Sequence, residues 1–285
     1  MAMWFWIVSL LLTSIAILGN ALVIYLIITR RRLRTKSNWF LFSLAVADLS
    51  LAAVFIPPHF RCQIAGCSHS MVILYLVSYF GDASVTSMMA FTVDRYCAIV
   101  LPLKYTSIMA KRTIALLLMS AWLAPLILDT IPTLVLSDED IAQLISMVIF
   151  QFTPCIFLAI ATRKIIRIAN NHARRTSVLL KQLKFNRPSQ RLRGKPEVSS
   201  ARLITIMVGI FLACYISQSL SSLCASFPSC EEWQNDEVVR YVLSFLLIIN
   251  SGANPFVYAL IKRDIKKECS RVFLCKRRIE RLIER

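Results

Sequence analysis

Residues 1–29 read MAMWFWIVSLLLTSIAILGNALVIYLIIT and contain no charged side chain. A helix rises 1.5 Å per residue, so about 20 mostly apolar residues cross the roughly 30 Å hydrocarbon core of a bilayer. This stretch is therefore long enough to span a membrane as one helix. Its basic flank follows the apolar run and none precedes it, which predicts an uncleaved anchor rather than a removable signal peptide.

Six more apolar stretches follow, and away from its ends each is uncharged or carries a single Asp. The sequence therefore predicts an all-α membrane protein, a bundle of seven transmembrane helices within residues 1–261. Residues 262–285 are predicted to form a short amphipathic eighth helix and a basic cytoplasmic tail. The predicted spans cover residues 3–29, 38–60, 70–96, 113–135, 141–165, 199–225 and 238–261.

Composition and charge placement agree with a membrane protein. The chain is 57% hydrophobic and 17% charged, whereas a soluble domain carries about 25% charged residues. A net charge of +17 could indicate a nucleic-acid partner, but 31 of the 33 Lys and Arg residues fall in connections on one side of a seven-span thread. Basic loops stay in the cytoplasm. We therefore expect a multi-pass plasma-membrane protein in contact with the lipid bilayer, with an extracellular N-terminus, a cytoplasmic C-terminus and no nucleic acid.

Each of the seven spans contains a short motif or a landmark residue. Span two contains Leu44-Ala-Val-Ala-Asp48, span three closes with Asp94-Arg95-Tyr96, and span seven contains Asn254-Pro-Phe-Val-Tyr258. The other spans carry Gly19-Asn20, Trp122, Pro154 and Phe211-Leu-Ala-Cys214. Over essentially its whole length the chain resembles the rhodopsin-like (class A) G protein-coupled receptors. The resemblance implies a receptor that binds an extracellular ligand and activates a heterotrimeric G protein by outward movement of span six.

Asp48 is a carboxyl group within a predicted membrane span, and such residues are costly and usually functional. The resemblance implies that Asp48 binds an allosteric sodium ion that holds the inactive state. Its expected oxygen-bearing partners are Asn20, Ser84, Asn250, Ser251 and Asn254. The alternative is a polar residue satisfied by neighbouring hydroxyl groups.

The resemblance also implies an activation switch at the cytoplasmic end. Arg95 would pair with Asp94 and with Glu197 at the base of span six, an interaction that we call the latch; a snorkelling arginine is the alternative. The remaining switch residues are Tyr96, Phe211, Tyr215, Pro255 and Tyr258. Tyr215 and Ser217 replace the usual Trp and Pro of span six, which leaves the kink of that span in question. Thr162 replaces a Tyr, and Ile265 an aromatic anchor of the eighth helix.

The ligand is not fixed by the sequence. Amine receptors carry an Asp where this chain has Val77, and Ile248 stands where an opsin has its retinal-binding Lys, so no retinal is expected. Pocket candidates are Val77, Phe80, Asp82 and Tyr215. The predicted outer loops are acidic, which indicates either a solvated surface or steering of a cationic ligand such as a basic peptide.

The cysteines suggest disulfides and lipidation. Ser70 replaces the usual Cys of span three, and the second outer loop has no Cys, a feature that resembles the melanocortin, adenosine, cannabinoid and lysolipid receptors. Two local pairs, Cys62 with Cys67 and Cys224 with Cys230, could close outer loops, and a bridge between the loops is the alternative. Cys269 and Cys275 lie among basic residues and are candidates for palmitoylation.

Two other classes of function compete with the receptor. A transporter or channel is the alternative, although we find no internal repeat or inverted pair of broken helices. We expect no enzyme, because the sequence presents no nucleophile–base set and no cluster of metal ligands.

Overall fold

The computed structural model describes residues 3–65, 71–135, 139–186, 196–225 and 236–271. The first helices are α1 (Met3–Thr29), α2 (Lys36–Ala65) and α3 (Met71–Val100). Helix α4 comprises Lys111–Pro125, a π-helical turn Leu126–Thr130 and Ile131–Val135; α5 comprises Glu139–Ser146, a π-helical segment Met147–Phe152 and Thr153–Asn186. The last are α6 (Pro196–Ala225), α7 (Glu237–Ile261) and a short α8 over residues 263–271.

Seven helices, α1 to α7, are long and apolar enough to cross a membrane. The all-α class and the seven spans predicted from the sequence are thereby confirmed, and α8 occupies the place predicted for an eighth helix. The part of the chain that the structure describes contains no β-strand.

Helix α5 extends well beyond the predicted end of its span at residue 165. The helix continues to Asn186. Its inner face explains part of this length, because Ile165 and Ala169, one turn apart, are both buried.

Helix α3 forms the centre of the bundle. It packs against α2, α4, α5 and α6, while α1 packs against α2 and α7 and closes the ring. The largest fully buried side chains include Phe40, Phe91, Phe211 and Tyr258, which belong to one core cluster. Large apolar side chains such as Leu116 and Leu260 point outward and remain exposed, as expected of a surface that faces lipid.

Helices α1 and α7 meet at a matched pair of residues. Pro255 lacks an N–H, so the carbonyl of Ser251, four residues earlier, loses its helical partner. The side-chain amide of Asn20 donates a hydrogen bond to this carbonyl at 3.2 Å. The close approach requires Gly19, because a Cβ at that position would lie 3.0 Å from two side-chain atoms of Pro255.

We expect Gly19→Ala to destabilise the bundle by about 1–3 kcal/mol, because the new methyl group overpacks the contact with Pro255. The measurement is the thermal unfolding midpoint of the purified protein in detergent.

The matched control is Gly209→Ala in α6, where a Cβ would meet nothing within 4 Å. That change should keep or raise the midpoint, since Ala favours a helix by about 1 kcal/mol over Gly. Equal midpoints for the two variants would contradict the close contact between α1 and α7.

Candidate functional site: polar clusters within the bundle

Asp48 lies at the meeting point of three helices and has no exposed surface. Ser84 of α3 donates a hydrogen bond to one carboxyl oxygen at 2.7 Å, and Asn254 of α7 donates to the other at 2.8 Å. All six predicted members of this cluster are buried, including Asn20, Asn250 and Ser251. The fold brings Ser84 and Asn254 onto Asp48, and Asn20 onto the carbonyl of Ser251, whereas Asn250 is buried without a hydrogen bond to them among the described residues.

Two oxygen atoms of the Asp48 cluster have no hydrogen-bond partner. They are Oδ1 of Asn20 and Oγ of Ser251, and both are fully shielded from solvent. A buried polar atom is normally satisfied, so unpaired acceptors beside a carboxylate mark a place suited to a cation.

At the other end of α3, the side chain of Asp94 is fully buried and holds two partners. One carboxyl oxygen accepts hydrogen bonds from Nη2 and Nε of Arg95 at 2.5 and 2.9 Å. The other accepts from the Tyr105 hydroxyl at 2.8 Å, and burial followed by the charge of Asp94 raises the pKa of Tyr105 to about 12. Arg95 is therefore fixed on its own helix; the side chain of Glu197 lies outside the described residues.

The aromatic residues of α6 stack on each other. The rings of Phe211 and Tyr215 lie 4.2 Å apart and nearly parallel, and both side chains are buried. Helix α6 continues through Ser217, so the described helix has no break at the position where the family usually has a Pro. On α7, Tyr258 is fully buried and its hydroxyl has no hydrogen-bond partner.

The remaining switch residues lie near the same core. Tyr96 packs against the buried cluster, and the ammonium group of Lys164 sits 5.3 Å from its ring centre. Pro255 lies inside α7, as described above.

Sequence reasoning missed a polar junction at the end of the bundle where α2 begins and α7 ends. The Lys262 ammonium donates to the side-chain oxygen of the buried Asn38, and the amide of Asn38 donates to the Leu33 carbonyl at 2.7 Å and to Asp264 at 3.2 Å. Ile265, which stands in place of the usual aromatic, is almost fully buried here. Neither hydropathy nor any family motif singles out Asn38.

The predicted ligand-pocket residues divide between two helices. Val77, Phe80 and Asp82 are partly exposed on α3, whereas Tyr215 of α6 is buried. A buried residue that the sequence analysis did not select, Asp129 in the π-helical turn of α4, adjoins them. Its only sequence signal was a charge that interrupts span four.

Four cysteines in the described part of the chain are free, namely Cys97, Cys155, Cys214 and Cys269. Cys224 is disulfide-bonded. The side chains of Cys62, Cys67, Cys230 and Cys275 lie outside the described residues, so the predicted pairing stays a prediction. Cys269 packs against the core, and burial raises the pKa of its thiol.

Comparison with known proteins decides the family. A family profile described as 7 transmembrane receptor (rhodopsin family) matches residues 19–258. The chain belongs to the rhodopsin family of seven-transmembrane receptors. This assignment confirms the receptor class and decides against the transporter, channel and enzyme alternatives.

Several members of the rhodopsin family resemble the chain over most of its length. Octopamine receptor beta-2R of Drosophila melanogaster is 27% identical over 94% of this chain and 60% of its own length. Octopamine receptor beta-2R of Chilo suppressalis is 28% identical over 94% of this chain and 79% of its own length. Adenosine receptor A2a of Homo sapiens is 26% identical over 91% of this chain and 69% of its own length. The chain thus spans about three fifths of the Drosophila receptor.

The junction at Lys262 predicts a pH dependence of stability. Burial lowers the pKa of Lys262 from its usual 10.5 to about 8, although the nearby Asp264 partly opposes the change. Between these two values the unfolded chain binds a proton that the folded protein has lost, so the free energy of unfolding rises with pH. We expect a rise on the order of 2 kcal/mol between pH 7.5 and 10.

Thermal unfolding midpoints across this pH range are the measurement. The rise should be much smaller in Lys262→Met. The control is Lys266→Met, which removes an exposed lysine of α8 and should keep the dependence of the wild type. A Lys262→Met profile that follows the wild type would show that the lysine is not buried in this way.

Proposed function

We propose that the protein is a plasma-membrane receptor, with an extracellular N-terminus and a cytoplasmic C-terminus, that binds a small ligand and activates a heterotrimeric G protein. The observation that carries the proposal is the Asp94–Arg95 ion pair near the end of α3. This end of α3 leads into a basic connection, which is predicted to lie in the cytoplasm. The placement of the basic residues supports this orientation, because 31 of the 33 Lys and Arg residues lie in connections on one side of the seven spans.

The ligand class follows from the relatives. Their names refer to an amine and a nucleoside, so we propose one of these two classes. The basic peptide considered from the acidic loops has no support among them. The decisive experiment is a nucleotide-exchange assay with purified G proteins, in which the reconstituted receptor is exposed to octopamine and to adenosine. Stimulation by neither ligand, together with no basal exchange, would count against the proposal.

The activation mechanism that we propose runs through α6. In the resting receptor, Arg95 stays beside Asp94 and forms the latch with Glu197. Release of Glu197 lets the base of α6 move outward and opens a cytoplasmic cleft for the G protein. The stacked Phe211 and Tyr215 transmit the displacement, because both are buried in α6 and belong to the core cluster that also contains Tyr258.

Glu197→Ala should raise basal nucleotide exchange about fivefold, because loss of an ion pair of about 1 kcal/mol shifts the two-state equilibrium by that factor. Exchange is measured at equal receptor density without added ligand. Glu197→Asp, which keeps the charge, is the control and should stay near the wild type. Unchanged exchange in the Ala variant would refute the latch.

We also propose that the Asp48 cluster binds a sodium ion in the inactive state. The carboxylate, together with the unpaired oxygens of Asn20 and Ser251, supplies the hard ligands that such an ion requires. The buried Ser84, Asn250 and Asn254 complete the proposed shell. A bound cation would hold α2, α3 and α7 together and so oppose activation.

Sodium should therefore lower basal nucleotide exchange when NaCl replaces N-methylglucamine chloride at constant ionic strength. Asp48→Asn should abolish this response, since it removes the charge and keeps the volume. The control is Ser43→Ala on the same helix, whose hydroxyl contacts Ser87 and Trp122 instead of Asp48. An Asp48→Asn receptor that still responds to sodium would exclude the site.

Two covalent features complete the proposal. We assign the disulfide of Cys224 to Cys230, which closes a short loop after α6, and keep Cys62 with Cys67 as the second local pair. Cys275 and the half-buried Cys269 stay candidates for palmitoylation beside the basic tail.

A further inference from the structure

Two carboxyl groups meet between α3 and α4 inside the membrane-spanning part of the bundle. Asp82 occupies the middle of α3, and the buried Asp129 occupies the π-helical turn of α4. The two carboxyl groups lie within hydrogen-bonding reach of each other. The hydroxyl of Ser78 donates to Oδ2 of Asp129 at 3.1 Å, whereas Oδ2 of Asp82 is buried and receives no hydrogen bond.

This acid pair has no basic residue near it in the sequence. No Lys or Arg occurs between Arg61 and Arg95 or between Arg112 and Arg163, so α3 and α4 carry none at this depth. The uncharged stretch of α6 from residue 203 to 225 supplies none either. An unpaired carboxylate in the membrane interior costs several kcal/mol, so two adjacent carboxyl groups there are either protonated or joined by a positive charge.

The same two helices, α3 and α4, carry a cluster of three aromatic rings, those of Tyr79, Phe80 and Trp122. The rings of Phe80 and Trp122 lie 6.5 Å apart, and the ring of Tyr79 lies 5.2 Å from that of Phe80. Aromatic faces attract ammonium groups and stack on aromatic ligands. Asp129 is only 5% exposed, and Oδ2 of Asp82 is shielded from solvent, so the two carboxyl groups lie inside the bundle.

The pair is also placed to influence the activation switch. Asp82 lies within electrostatic range of Tyr215, the aromatic residue that stacks on Phe211 in α6. A cation that binds Asp82 would therefore act electrostatically on Tyr215, which belongs to the helix that we propose to move.

We propose that Asp82 and Asp129 together bind the ammonium group of a small aromatic amine, about one and a half helical turns deeper than Val77. This inference rests on the proposed receptor function and selects the amine over the nucleoside. It explains how a receptor can bind an amine although Val77 replaces the usual Asp. The carboxylate of Asp82, further along α3, and that of Asp129 on α4 take the place of the usual one. The π-helical turn, which shifts side-chain positions on α4, places Asp129 there.

The test uses the full-length receptor in lipid nanodiscs and measures the unfolding midpoint against ligand concentration. The probe is octopamine, and the neutral comparison is its analogue with a hydroxyl group in place of the amine. Octopamine should raise the midpoint of the wild type in a saturable manner, and the neutral analogue should not. Asp82→Asn and Asp129→Asn should each lower the affinity for octopamine at least tenfold.

Asp236→Asn is the matched control for the loss of one negative charge. Asp236 is exposed and caps the N-terminus of α7, and Asn caps helices equally well, so octopamine binding should persist. Octopamine that binds Asp82→Asn as tightly as the wild type would overturn the inference. Stabilisation by NaCl alone, lost in Asp82→Asn without any amine effect, would overturn it too and assign the pair to an inorganic cation.

A second readout separates this inference from the proposed function. Basal nucleotide exchange, and its increase in Glu197→Ala, reports coupling to a G protein without any ligand. A receptor that couples in this assay but binds no octopamine would refute the amine site alone. A receptor that binds octopamine through Asp82 but never catalyses exchange would refute the G protein coupling alone.

Discussion

A polar group within a lipid bilayer has to find its partners inside the protein, and Asp48 shows how far this requirement shapes the bundle. Its carboxyl group is completely buried and takes one hydrogen bond from α3 and one from α7. Water cannot replace either partner without entering the bundle. The carboxylate therefore ties together three of the seven helices at a single point, and the helices around it are held in register.

The same requirement governs the contact between α1 and α7. Pro255 deprives the Ser251 carbonyl of its helical donor, and Asn20 supplies one from the neighbouring helix. This contact forms only because Gly19 lets the backbone of α1 approach the proline ring. A residue that weakens one helix is thus compensated by two residues of another, close to the Asp48 cluster.

The two buried acidic sites differ in how far their charge is compensated. Asp48 accepts hydrogen bonds on both oxygens, whereas Asp82 leaves one oxygen buried without a donor and faces a second carboxyl group. Such a pair is unfavourable in its ionised form in an apolar setting unless a positive charge joins it. Asp82 lies within electrostatic range of Tyr215 in α6, the helix that we propose to move. Ligand binding and activation would therefore share one set of contacts.

The sequence by itself determined the seven spans and the receptor family, and its likeness to that family selected Ser84 and Asn254 as partners of Asp48. These follow from the length of the apolar runs and from motifs whose spacing is local, since each lies within one helix. Only the tertiary structure paired Asn38 with Lys262 and Asp129 with Asp82, because such contacts join residues far apart in sequence. It also extended α5 to Asn186 and placed the π-helical turn around Asp129. Hydropathy counts a charge within a span but does not record which neighbouring helix that charge faces, and this depends on how the helices pack.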